Sequence, residues 1–270
     1  MKLGIGSYAY MWSIGFPGAT PDSPMNAMGF LEAARRLGVR AVQYGPNLPL
    51  HALPAGELNA LLATAREWDV EVELGTRGVD TDHLLRMLEF TVRCGSRLLR
   101  TVPEVEEGRL PSRDELISLL RRVEPRFREA GVRLAMENSL MRAADLAAAL
   151  RATGSEFIGI TLDTVNSLAI PEGTREVAEA LASWTCCLHI KDFIVRREWH
   201  MMGFRVEGRP AGQGQLDAPW LLALLEQAGA CCNAILELWP PEQGSLPETI
   251  ALEQRWAEES LAYLRSLIRE

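Results

Sequence analysis

Short apolar runs alternate with amphipathic segments along the whole chain. The runs cover residues 2–8, 39–45, 70–75, 97–102, 132–137, 157–163, 186–191 and 233–239, each of strand length and rich in Val, Ile or Leu. Between them the apolar period changes to that of a helix, over 25–37, 56–68, 81–94, 113–130, 143–152, 174–184 and 218–228. A last helix is predicted over 247–268, with Ile250, Leu252, Trp256, Leu261, Leu264 and Leu267 on its apolar face. Start signals agree with these bounds. Ser112 and Glu115 have the spacing of a capping box, and Asp80, Asp217 and Ser245 suit N-caps. Gly38, Gly95, Gly131 and Gly154 follow predicted helices, where a left-handed residue ends the turn. Eight strand–helix units in strict order predict an α/β fold, a single (β/α)8 TIM barrel over residues 1–270. A doubly wound open sheet fits less well, since no Gly-rich turn follows the first strand. Two connections are long, 11–24 and 193–215. Both follow strand C-termini and so are expected over the barrel mouth as lids or substrate loops.

Composition narrows the function classes. Of 270 residues, 47% are hydrophobic and 24% charged, with a net charge of −8. Such a balance argues against binding nucleic acid through a basic surface. The amino terminus enters a strand directly, and no apolar stretch reaches the ~18 residues of a membrane span, so a cytoplasmic enzyme of small molecules is expected. Homo-oligomerisation is left open. The lysines are only Lys2 and Lys191, against 26 arginines. Cys94, Cys186, Cys187, Cys231 and Cys232 lack the spacing usual for zinc and read as small buried hydrophobes in a reducing compartment.

Four residues with metal-binding side chains end four of the predicted strands: Glu137, Asp163, His189 and Glu237, at steps of 26, 26 and 48 residues. Alone, each has an ordinary explanation: a solvated glutamate, a core histidine, an aspartate N-cap. In a barrel the C-terminal strand ends face one mouth, and the four become one cluster. Three carboxylates and an imidazole suit one divalent metal ion: Mn, Co, Mg, Zn or Fe. Two open positions would accept adjacent oxygens of a substrate. The ion would polarise a carbonyl and stabilise an enediolate, with Glu137 and Glu237 as acid and base.

Further contacts follow from position. Lys191 lies on the same side of its strand as His189, so it can reach substrate or an acidic ligand. Arg100, Arg196, Arg197 and Arg205 are candidates for a carboxylate or phosphate, although a solvated face explains at least two of the loop arginines. Tyr8, Tyr10, Trp12, Gln43 and Trp239 suit a wall for a sugar. His200 is the candidate proton carrier of the long loop. Gly212 and Gly214 fit a phosphate cradle or a tight turn equally well.

The segments AMEN at Glu137, LDTVN at Asp163, HIKD at His189, Gly212–Asp217 and ELW at Glu237 resemble the xylose-isomerase-like TIM barrels. The likeness runs from IGSYAY in the first strand to the last strand. It implies that Glu137, Asp163, His189 and Glu237 bind the metal and that the two glutamates move protons. It also places Asn166 at the substrate. Ketohexose epimerases of this superfamily carry a His where Asn166 stands and an Arg where Val195 stands. The endonuclease branch uses more histidines than the His51, His83, His189 and His200 present here. The implied activity is an isomerase or epimerase of a sugar or polyol-derived ketone. The alternative is a lyase, a dehydratase or decarboxylase of a keto-sugar acid acting through a metal-stabilised enolate. A non-catalytic sugar-binding barrel is the third reading. The partner in each case is a small carbohydrate or keto acid.

Overall fold

The computed structural model describes residues 1–105, 108–229, 231 and 233–268. Eight parallel strands close a barrel in the order β1-β10-β7-β6-β5-β4-β3-β2. They are β1 (Lys2–Gly6), β2 (Ala41–Tyr44), β3 (Glu71–Arg77), β4 (Leu98–Val102), β5 (Arg133–Glu137), β6 (Ile158–Asp163), β7 (Thr185–Ile190) and β10 (Asn233–Leu236). The remaining strands, β8 (Asp192–Arg197) and β9 (Phe204–Arg209), form a separate antiparallel ribbon. Helices α2 (Ala27–Arg36), α3 (Ala55–Glu67), α4 (Thr81–Cys94), α5 (Arg113–Ala130), α6 (Ala143–Thr153), α7 (Thr174–Leu181), α8 (Ala218–Ala228) and α9 (Leu246–Leu267) follow the eight barrel strands in turn. A four-residue helix, α1 (Met11–Ile14), precedes them in the first long connection.

The start and stop signals work as expected. Asp80 accepts from His83 N, Asp217 from Trp220 N and Ser245 from Glu248 N, while Ser112 and Glu115 form a reciprocal capping box. Gly95, Gly131 and Gly154 close α4, α5 and α6 at positive φ, where a Cβ would clash with the preceding carbonyl. Leu31, Leu58, Leu84, Leu116, Leu146 and Leu261, one from each of six helices, are buried in the layer between helices and barrel. Cys94, Cys186 and Cys187 are buried and Cys231 half-buried; Cys232 lies outside the described residues.

The connection over 193–215 is not a plain loop. Its first part is the ribbon, paired from Asp192 with Arg209 to Arg197 with Phe204. An apolar, largely β-branched run, Phe193–Val195, facing the alternating FRVEGR strand across a turn favours such a hairpin over an irregular lid. Its end is exposed: Trp199 is 90% and Met202 87% accessible. The ribbon's foot is fixed by Asp192, whose carboxylate accepts from the backbone N–H groups of Gly212, Gly214 and Leu216. A Cβ on Gly214 would overlap Asp192 Oδ1, and one on Gly212 would lie 2.7 Å from the Tyr263 ring. These glycines therefore wrap the chain around Asp192, which decides between the turn and the phosphate cradle in favour of the turn.

Candidate functional site

Parallel register brings the strand ends level. Asp163 pairs with His189 across β6 and β7, and Glu237 N donates to Ile190 O beyond the end of β10. One ligand atom each from Glu137, Asp163, His189 and Glu237 lies within 4.8 Å of all the others, and all four side chains are buried. His189 Nδ1 stands 3.5 Å from Glu137 Oε1, 3.5 Å from Glu237 Oε1 and 3.9 Å from Asp163 Oδ2. It has no hydrogen-bond partner among the described residues. These separations are too long for hydrogen bonds. They suit donors that share one ion at about 2.1 Å from each. The cluster can therefore hold a metal ion.

The electrostatics agree. Burial disfavours charge on His189, but Glu237 and Glu137 outweigh it and raise its pKa. Asp163 is raised, first by burial and then by the neighbouring glutamates, although Lys191 opposes this. The pocket thus calls for positive charge where the ligand atoms converge. Two cations already stand at its rim. Arg100 Nε is 2.8 Å from Glu137 Oε2, and Lys191 Nζ is 2.7 Å from Asp163 Oδ2 and 2.8 Å from Glu237 Oε2. Burial would raise both glutamates, yet Arg100 and His189 hold Glu137 well below the usual carboxylate range, and His189 and Lys191 lower Glu237.

Asp163 is placed for two of its expected roles at once. Its Oδ1 accepts from Val165 N and Asn166 N, as in a local cap, while Oδ2 faces the cluster. Asn166 Nδ2 donates to Glu137 Oε1, and its Oδ1 is 3.5 Å from Lys191 Nζ. A cavity of about 370 Å³ opens above the cluster, lined in part by Tyr8, Arg100, Glu137, Asn166, Lys191 and Glu237.

Eight expected contacts do not line the cavity: Tyr10, Trp12, Gln43, Trp239, Arg196, Arg197, His200 and Arg205. Gln43 is buried, with Oε1 2.8 Å from His189 Nε2, so it supports a cluster residue instead of forming a wall. His200 is exposed on the ribbon, against the Trp199 ring and Met202 N, and does not line the cavity. Arg196 is likewise exposed and off the cavity, because it lies towards the ribbon's end, where both faces meet solvent. Other site residues went unnoticed in the sequence. Asn138 takes Asp163 N on its Oδ1 and donates to Asp163 O and Ser167 Oγ, which fixes the end of β6. Glu73 and Asn233 lie beneath His189. Glu73 carries little signal, since it alternates with Val72 and Leu74 in the same pattern as the partly exposed Glu71.

The family model for the xylose isomerase-like TIM barrel matches residues 13–267. A 3-oxo-isoapionate decarboxylase from Pectobacterium atrosepticum is 34% identical over 265 residues, 98% of this chain and 95% of that protein. Among solved structures, D-psicose 3-epimerase with D-tagatose from Clostridium cellulolyticum H10 superposes with a TM-score of 0.73 at 14% identity, covering all of both chains. The IOLI protein with a zinc atom gives 0.72 at 15% identity, again over both whole chains. At such identities the structures speak for the fold alone. The family match and the long curated alignment together show that the chain belongs to the xylose isomerase-like TIM barrel family.

Proposed function

We propose that the protein is a divalent-metal-dependent decarboxylase of a 3-oxo sugar acid, the lyase alternative of the sequence reading. The observation that best supports it is the pairing of each glutamate with a cation: Glu137 with Arg100, and Glu237 with Lys191. Isomerases and epimerases of ketoses begin by removing a proton from carbon, and a general base works best with a pKa near the working pH. Both glutamates are held below their ordinary range, which makes them weak bases. Decarboxylation of a 3-oxo acid needs no such base. The bond from C2 to the carboxyl carbon breaks, its electron pair passes into the ketone as an enolate, and carbon dioxide leaves. One proton must then return to carbon.

The chain's own groups fit that demand. Lys191 is kept protonated, since Asp163 and Glu237 outweigh the effect of its burial. It lines the cavity, and although its raised pKa makes it a weak acid, an enolate carbon is a much stronger base than an amine and can take its proton, which solvent then replaces. Asn166 and Arg100 hold Glu137 in place and keep it ionised. Charge balance favours an anionic substrate. Three carboxylates against Arg100 and Lys191 leave one negative charge in excess. A divalent ion held by Glu137, Asp163, His189 and Glu237 supplies a Lewis acid for the ketone oxygen and turns the excess to one positive charge. The named activity of the 34% identical relative points the same way.

The test is a panel of 3-oxo sugar acids and neutral ketoses, with Mn²⁺ in deuterated water. Carbon dioxide release from an acid, with one deuteron gained at the former carboxyl-bearing carbon, is the expected result. Deuterium exchange into neutral ketoses without carbon dioxide from any acid would assign the isomerase reading instead.

A further inference from the structure

Beneath the ligand cluster, inward-facing polar groups from four strands form one chain of hydrogen bonds. His189 Nε2 meets Gln43 Oε1 at 2.8 Å. Gln43 Nε2 donates to Glu73 Oε2 at 3.0 Å, and Asn233 Nδ2 donates to Glu73 Oε1 at 2.6 Å. Gln43 Nε2 and the Glu73 carboxylate also contact Cys187 Sγ, two residues before His189 on the same face of β7. Gln43, Glu73, Asn233 and His189 are all no more than 2% exposed. So polar a barrel floor is costly unless its groups are fully paired.

The pairing has a direction. Glu73 is the acceptor at its end of the chain, so the Gln43 amide must present its NH₂ to Glu73 and its oxygen to His189. An oxygen facing Nε2 requires the ring proton to sit on Nε2. The lone pair then falls on Nδ1, the atom that faces three carboxylates without a hydrogen-bond partner. We infer that Glu73 and Gln43 are positioning residues that fix the metal-ready tautomer of His189 from the barrel floor, ahead of metal arrival. The inference rests on the cluster being a metal site, and it predicts which buried groups set affinity without touching the ion.

Two variants at one position separate this role from packing. Gln43→Met keeps the shape and removes the acceptor. Gln43→Glu keeps an acceptor towards Nε2, and the resulting pair of glutamates can share one proton, since burial already raises Glu73. If Gln43 only fills space, the apolar isostere is the milder change for both stability and metal affinity. If Gln43 positions His189, the orders separate: Gln43→Met is the more stable protein and the weaker metal binder. The measurement is calorimetric titration of chelator-stripped protein with Mn²⁺ and with Zn²⁺, beside thermal unfolding of the same samples. Gln43→Met is expected to weaken binding by about 10–100-fold, the usual cost of losing a partner of a metal histidine, and Gln43→Glu to recover most of it. Glu73→Gln, one bond further away, should fall between wild type and Gln43→Met. Affinities of Gln43→Met and Glu73→Gln within twofold of wild type would overturn the relay while leaving the metal site standing. Absence of Mn²⁺ and Zn²⁺ binding by wild type would overturn both.

Discussion

Arg100 and Glu137 form a buried ion pair: Nε and Oε2 are 2.8 Å apart, and the two side chains are 4% and 3% exposed. A second Arg100 nitrogen donates to Thr76 O at 3.1 Å, so the guanidinium is anchored on both sides. Removing one partner of such a pair strands a buried charge. Arg100→Met should therefore destabilise the metal-free protein by about 3–5 kcal/mol in denaturant unfolding. Adding Glu137→Gln should recover a large part of that loss. A loss below about 1 kcal/mol for the single variant would mean that Lys191 and His189 suffice to hold Glu137.

Lys191 lines the cavity and is the group assigned to proton return in the proposed reaction. Lys191→Met should lower kcat for carbon dioxide release by at least ~100-fold, the lower range for loss of a proton donor. Bound Mn²⁺ per chain, read by elemental analysis, should stay near the wild-type value, because the four ligands remain. Near-normal turnover would place the proton donor elsewhere, with Tyr8 as the next group on the cavity wall.

Glu253 offers a pH test remote from the cluster. From α9 its carboxylate accepts from Trp12 N, Ser13 N and Ser13 Oγ, so it caps α1 across the chain. Burial pushes its pKa up from the ordinary 4.5 to about 7, although the bonds from Ser13 and Trp12 oppose this. The folded state thus binds this proton more tightly than the unfolded state. The stability it contributes is fully present below pH 4.5, declines as pH rises towards 7 and is lost above that. The total is roughly 3 kcal/mol. Subtracting the profile of Glu253→Gln from that of wild type should isolate a decline of this sign between pH 4.5 and 7.5. A flat difference would show an ordinary carboxylate.

His200 should tolerate change. It is exposed on the ribbon, where it meets the Trp199 ring and accepts from Met202 N. His200→Ala should leave kcat/KM for the decarboxylation within twofold of wild type. A tenfold fall would bring the ribbon's end into the catalytic cycle.

The cluster could be read from the chain because its information is local. Each of Glu137, Asp163, His189 and Glu237 ends an apolar run, and barrel topology alone gathers strand ends. The floor beneath could not be read in the same way. Gln43 looks like any polar residue near a strand end, and its partner Glu73 lies 30 residues on, joined only by the lateral register of β2 with β3. Register is a property of closed sheets, set by side chains on other strands. The ribbon is hidden in the sequence for another reason: FRVEGR alternates but FIVRR does not, and Arg196 and Arg205 share one face of the hairpin while Arg197, opposite Phe204, lies on the other. Gly212 and Gly214 had two sound explanations until Asp192 was found between them and the barrel.

The barrel closes through β10, which pairs with β1 on one side and β7 on the other. Until β10 is in place the outer edges of β1 and β7 have no neighbour, and such edges invite pairing with another chain. Glu237, the last of the four ligands, lies just past this closing strand. The nascent chain therefore cannot offer a complete coordination set before its sheet is sealed. Sheet closure and assembly of the four-residue cluster are tied to one late event, and a chain truncated ahead of β10 would be at once sticky and unable to assemble that cluster.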